Sequence, residues 1–130
     1  MRSTIAILGA LVFASILLDP YSWHLNASDA VVPAPAWQLT LSLIDAGVLV
    51  VGVGLALRDR AEVGFTVLAV EYLFNLGLCA LLVHRDGVAR FLHGFGAEEY
   101  LSLYLGALAL RVLLLVAVKR SGVSRDHAAA

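Results

Sequence analysis

Four long apolar stretches, separated by short polar connections, constrain this chain more than any other feature of its sequence. They cover residues 4–18, 37–57, 63–83 and 100–118. A run of about 20 apolar residues is typical of a helix that crosses the hydrocarbon core of a bilayer. The sequence therefore predicts an all-α fold, an integral membrane four-helix bundle, in a single domain of residues 1–120. Residues 121–130 are small and polar and predict a short disordered tail.

The amino-acid composition argues against a water-soluble monomer. Of the 130 residues, 61% are hydrophobic and 15% are charged, whereas a soluble domain contains roughly 45 to 50% apolar residues. The formal net charge of −1 gives no general attraction to nucleic acid, so we predict no nucleic-acid partner. The single cysteine, Cys79, excludes an intrachain disulfide and any multi-cysteine zinc site. We predict no cofactor and no metal ion, and a haem is disfavoured because no histidine lies inside the four stretches.

The distribution of Lys and Arg predicts the orientation of the spans, because cytoplasmic loops carry the excess of these residues. With the N-terminus inside, only Arg85 and Arg90 lie outside. The residues that then lie in the cytoplasm are Arg2, Arg58, Arg60, Lys119, Arg120 and Arg125. We therefore predict a multi-pass protein of the cell membrane with both the N-terminus and the C-terminus cytoplasmic. A cleaved signal peptide is the less favoured interpretation of the first stretch, because Asp19 and Pro20 follow it without a nearby small-residue cleavage site.

Three formally charged residues interrupt the apolar stretches: Asp45, Glu71 and Arg111. Each costs at least roughly 2.5 to 3.5 kcal/mol at the centre of a spanning helix, so each requires a partner or water. The rise of about 1.5 Å per residue in a helix allows the depth of each charged residue in the membrane to be calculated from its position in its span. Glu71 and Arg111 fall at the same level, whereas Asp45 falls nearer the outer side, level with Asn75. We therefore predict that Glu71 pairs with Arg111, and that Asp45 pairs with Asn75 or carries a proton.

Helical spacing places further polar residues on the same faces. Glu71, Asn75 and Cys79 follow one another at intervals of four, and Tyr104 shares a face with Arg111. Most of these polar residues fall in the outer half of the spans. The sequence thus predicts a polar recess that opens to the outside and ends at the Glu71–Arg111 pair. The candidate binding or proton-handling residues are Asp45, Glu71, Asn75, Tyr104 and Arg111; no catalytic residue is predicted.

A purely structural role for the charged residues is the main alternative. Polar side chains hold membrane helices together, and a buried ion pair can serve only to fix their register. Two acids facing one base nevertheless leave one carboxyl that must be protonated or hydrated. A carboxyl in that state is suited to carry a proton, and it is also what an inert structural carboxyl looks like. The sequence leaves both interpretations open.

Three functions remain compatible with these patterns. The first is a small proton-coupled or small-ligand transporter that acts as an oligomer, because four short helices offer few walls for alternating gates. The second is an accessory subunit of a larger membrane complex, and the third is a membrane enzyme acting on a lipid or isoprenoid. We favour a non-enzymatic function, with the lipid bilayer and either further copies or a larger complex as partners. The alanine stripe of the first stretch permits close helix contact, and we favour packing inside the bundle over contact with another subunit; the stripe comprises Ala6, Ala10 and Ala14.

Overall fold

The computed structural model describes residues 1–17, 23–25, 31–33, 36–93 and 98–129. Within these ranges the chain forms four helices: α1 (Arg2–Leu17), α2 (Ala36–Leu57), α3 (Ala61–His93) and α4 (Glu98–Ala129). The prediction of a four-helix, all-helical architecture is confirmed. The sequence did not predict the antiparallel pair of short strands between α1 and α2, β1 (Trp23–Leu25) and β2 (Val31–Pro33). Trp23, Val31 and Val32 are residue types that favour an extended backbone.

The helices form a closed ring, in which each one packs against two others. α1 packs against α2 and α4, and α3 packs against the same two helices. The interior is filled by aliphatic side chains from all four helices, and the largest fully buried ones are Ile5, Val12, Leu49, Leu68, Leu114 and Val118. Such packing of side chains in a ring of helices is the usual core of a four-helix bundle.

Among the described residues, two of the four predicted spans form helices that are long and apolar enough to cross a membrane. They are Thr40–Leu57 in α2 and Ala61–Leu81 in α3. The apolar helix Arg2–Leu17 is shorter than these two. The side chains of residues 98–104, at the start of α4, lie outside the described part of the chain. The structure thus contains four helices, of which two have the length and composition of membrane spans.

The connection between α2 and α3 is a tight turn that defines one end of the bundle, here called the turn end. The N–H of Arg60 donates to the carbonyl of Leu55 (3.0 Å) across Asp59, which adopts a left-handed backbone with φ 68°. This geometry is a C-terminal helix cap that normally favours glycine. The carboxylate of Asp59 accepts a hydrogen bond from Arg2 (3.0 Å), so α1 begins at the turn end. We call the opposite end, where α1 ends and α2 begins, the far end.

Glycine allows α2 and α3 to cross at close range. A Cβ atom added at Gly64 would lie 2.8 Å from the backbone oxygen of Gly52 and 2.8 Å from the backbone nitrogen of Ala56. A Cβ atom at Gly52 would lie 2.7 Å from the side chain of Leu68. The two backbones therefore approach each other more closely than any residue with a side chain would permit.

The alanine stripe of α1 faces outward, so the expectation that it packs inside the bundle is wrong. Ala6, Ala10 and Ala14 are exposed. The opposite face of the helix is buried and consists of Ile5, Gly9, Val12 and Ile16. The branched side chains on that face fill the interior, whereas alanine would leave voids there.

Both long helices extend beyond their predicted bounds. The third apolar stretch was predicted to end at residue 83, but α3 continues to His93 with only a break at Gly87 (φ 79°, ψ 160°), a conformation that favours glycine. α4 continues to Ala129 where a disordered tail was predicted from residue 121 onward. Packing explains the first turn of this extension. Ser121 is buried, and a Cβ atom at Gly122 would lie 3.3 Å from that of Ala61.

Candidate functional site

Charged side chains from three helices meet inside the bundle. Asp45 of α2 is 9% exposed, Glu71 of α3 is 3% exposed and Arg111 of α4 is 5% exposed. Together with Asn75 of α3 they form the polar cluster of this protein. Charged residues are almost never buried this deeply unless they are paired, so their mutual contacts determine whether the fold tolerates them.

Arg111 bridges two carboxylates that belong to different helices. Its Nε donates to Oε1 of Glu71 at 3.0 Å and lies 3.3 Å from Oε2. Its Nη2 donates to Oδ2 of Asp45 at 3.4 Å. The predicted pairing of Glu71 with Arg111 is confirmed. The contact with Asp45 was not predicted, because the depth estimate placed this residue nearer the outer side and took no account of the reach of the guanidinium fork.

Asn75 connects the same two carboxylates from the other side. Its Nδ2 lies 3.1 Å from Oδ1 of Asp45, 2.9 Å from Oε1 of Glu71 and 3.0 Å from the backbone oxygen of Glu71. The predicted contact between Asp45 and Asn75 is confirmed. An amide has two N–H donors, so three acceptors must share them. Asp45 thus accepts a hydrogen bond from the neutral amide of Asn75 in α3 and another from the charged guanidinium of Arg111 in α4.

A hydrophobic layer separates the polar cluster from the turn end. Leu49, Leu68 and Leu114 are each one helical turn from a charged residue of the cluster, on the turn-end side, and all three are fully buried. The far-end side is more open, since Ser42, Asn75 and Cys79 are only partly buried. The cluster is therefore sealed towards the turn end and is flanked by partly accessible polar groups towards the far end.

The balance of charge in the polar cluster limits what it can do chemically. Two carboxylates and one guanidinium carry a formal charge of −1 when all three are ionised, and a net charge in an apolar interior is costly. One added proton, or one bound monovalent cation, brings the charge to zero. The arrangement is therefore suited to take up and release a single positive charge. Among the described residues, no three His, Cys, Asp or Glu side chains are grouped to hold a metal ion.

The structure brings four of the five predicted site residues into direct contact. Asp45, Glu71, Asn75 and Arg111 form one hydrogen-bonded unit. Tyr104 belongs to α4, and its side chain lies outside the described part of the chain. The role of these residues in binding or proton handling stays a prediction. Sequence reasoning missed a second arrangement at the turn end, where the Lys119 ammonium lies 5.3 Å from the centre of the Phe65 ring.

Comparisons with protein-family models, curated proteins and solved structures found no match for this chain. Its function must therefore be inferred from the geometry and chemistry of its own residues.

Proposed function

We propose that this chain is a four-span membrane transporter that translocates protons and acts as an oligomer. The observation that carries the proposal is the polar cluster. It is a buried set of two carboxylates and one guanidinium with an uncompensated formal charge of −1. Ionisable residues inside a membrane are costly and typically mark ion pathways or proton relays.

The distribution of apolar residues supports placement in a bilayer. Large hydrophobic side chains are exposed along all four helices, with Leu43 at 67% and Leu73 at 65%. Only 28% of the apolar segment of α2 and 17% of that of α3 are buried, whereas the core helix of a soluble protein is mostly buried. A chain that buries its charges and exposes its aliphatic residues is suited to a hydrocarbon solvent.

The exposed charges at the turn end support the proposed orientation. Among the side chains that the structure describes, five basic ones are exposed there, against two acidic ones, Asp59 and Glu62. The basic residues are Arg2, Arg58, Arg60, Lys119 and Arg120. Because Lys and Arg accumulate on the cytoplasmic side, we place the turn end in the cytoplasm. The partly accessible polar groups next to the cluster then face outward, and both chain termini lie inside.

Cysteine labelling tests this orientation. In a Cys79→Ser background, a cysteine at position 32 in β2 should react with a membrane-impermeant thiol reagent in intact cells. A reporter that is active only in the cytoplasm should be active when it is fused after Ala130. Both results are expected because the exposed basic residues at the turn end favour a cytoplasmic location for that end. Labelling at position 32 that appears only after permeabilisation would reverse the orientation.

Proton flux tests the function itself. Vesicles that contain the purified protein and a luminal pH dye should acidify when a potassium diffusion potential makes the lumen negative. Asp45→Asn should reduce this flux to that of protein-free vesicles, because it removes one carboxyl while leaving the shape of the side chain unchanged. Arg120→Gln, which changes an exposed charge outside the cluster, serves as the matched control. Wild-type flux equal to that of empty vesicles, or full flux in Asp45→Asn, would reject the proposal.

A second candidate function, that of an accessory subunit, is favoured by the exposed alanine stripe of α1. Small residues at intervals of four allow another helix to approach closely, and Ala6, Ala10 and Ala14 face outward. Mass spectrometry after gentle extraction distinguishes the two candidates. Copies of this chain alone agree with an oligomeric transporter, whereas a second protein in fixed proportion indicates a subunit of a larger complex.

A further inference from the structure

A groove of about 300 Å³ lies at the turn end, between the beginning of α3 and the last part of α4. It lies on the turn-end side of the polar cluster and shares no residue with it; the nearest lining residue, Thr66, is about one and a half helical turns from Glu71. Its walls are formed by Ala61, Glu62, Phe65, Thr66, Val118 and Lys119, and it continues along Gly122 and Val123. Its volume falls at the lower limit of small-molecule sites, so it suits a small headgroup better than a whole lipid.

The groove presents one positive and one negative group. The Lys119 ammonium lies over the Phe65 ring at 5.3 Å from its centre, which is within the range of a cation–π interaction. Glu62 contributes a carboxylate in the first turn of α3. In the part of the chain that the structure describes, neither charge forms an ion pair with the other or with a third residue. Two opposite charges thus line one groove and both are available to a ligand.

We propose that this groove binds the headgroup of an ethanolamine phospholipid from the cytoplasmic leaflet. The phosphate is held by the Lys119 ammonium, and the headgroup ammonium donates to the Glu62 carboxylate. The first carbons of the lipid lie against Phe65 and Val123. The inference rests on the membrane placement proposed above, which puts the turn end at the level of the headgroups, and it is independent of proton transport.

The charge pattern selects this lipid over the other common ones. Glu62 repels a headgroup that carries only negative charge, such as glycerol phosphate. A choline headgroup has the same net charge as ethanolamine, but its quaternary ammonium has no N–H to donate to a carboxylate. Charge-assisted N–H···O hydrogen bonds are among the stronger polar contacts. Of these three headgroups, only the ethanolamine one offers both a phosphate to Lys119 and an N–H donor to Glu62.

Lipid retention measured by native mass spectrometry tests the proposal. The full chain is placed in nanodiscs with equal amounts of ethanolamine, choline and glycerol phospholipids that have identical acyl chains. The wild-type protein should release from them with the ethanolamine lipid preferentially bound. Lys119→Gln should lower the retention of this lipid about fivefold, the effect expected for one basic residue at the membrane surface. Glu62→Gln should shift the preference toward the glycerol phospholipid.

Arg120→Gln is the matched control, since Arg120 is an exposed neighbour of Lys119 that does not line the groove. It should retain the ethanolamine lipid as the wild type does. Equal losses in Lys119→Gln and Arg120→Gln would show attraction by the basic surface as a whole and would overturn the proposal. So would a wild type that enters the nanodisc without preference among the three lipids. Asp45→Asn should keep the preference, which separates this outcome from that of the flux experiment.

Discussion

Replacing Arg111 by alanine should destabilise the folded protein by about 3 to 5 kcal/mol, the range for removing one member of a buried ion pair. The loss is large because Arg111 holds Glu71 at 3.0 Å and Asp45 at 3.4 Å, and both carboxylates would remain buried without it. Thermal unfolding in detergent micelles or in lipid measures the change. Arg120→Ala should alter stability by less than about 0.5 kcal/mol, since that residue is exposed. A harmless Arg111→Ala variant would contradict the contacts of the cluster.

The double variant Glu71→Gln with Arg111→Gln separates a functional role from a structural one. Two amides can hydrogen-bond to each other in an apolar interior, and Asp45 keeps the donor of Asn75. Most of the stability should therefore return. If the double variant folds stably but shows no proton flux, the ionisable groups of Glu71 and Arg111 are themselves required for function. If folding and flux both recover, Glu71 and Arg111 only hold the helices together, and a role for this ion pair in proton transport is rejected.

The second large effect is expected at Gly64, where alanine should cost about 1 to 3 kcal/mol or more. The added methyl group would lie 2.8 Å from two backbone atoms of α2, and backbone atoms cannot move aside as a flexible side chain can. The helices must separate for the variant to fold. Thermal unfolding measures this effect as well.

Gly77→Ala is the matched control in the same helix, because a Cβ atom at that position would have no atom within 4 Å apart from its chain neighbours and the adjacent backbone of its own helix. It should leave stability unchanged or raise it by up to about 1 kcal/mol through the higher helix propensity of alanine. Similar losses in both variants would mean that α3 tolerates no alanine in place of glycine, whatever its neighbours. The close crossing of α2 and α3 would then not be the cause.

The sequence predicts the four helices and the central ion pair of the site because both depend only on the order of residues along the chain. Apolar runs set the helices. The cost of burying charge requires Glu71 and Arg111 to find partners at the same depth, and they do. The additional contact of Arg111 with Asp45 depends on the length and direction of a side chain. That information is absent from a depth estimate along helix axes.

The missed features depend on three-dimensional packing. Alanine is compatible with a helix interface and with an exposed face, so the spacing of Ala6, Ala10 and Ala14 did not reveal that the stripe faces outward. Likewise, the polar composition of the last ten residues concealed that Ser121 is buried and that Gly122 lies against Ala61 at the start of α3. The strands β1 and β2 contain only three residues each, too few to show an alternating pattern.

If the protein translocates protons as we propose, the layer of Leu49, Leu68 and Leu114 has a consequence for the timing of that transport. A constriction lined only by aliphatic side chains stays empty of water, and such constrictions act as gates that open by wetting. A proton that leaves the carboxyl groups of the cluster toward the turn end would meet only these aliphatic side chains. Passage of a proton would then require the three leucines to separate far enough to admit a chain of water molecules. Turnover would then be set by the frequency of that opening, and smaller or polar residues in the layer would convert a gated carrier into a leak.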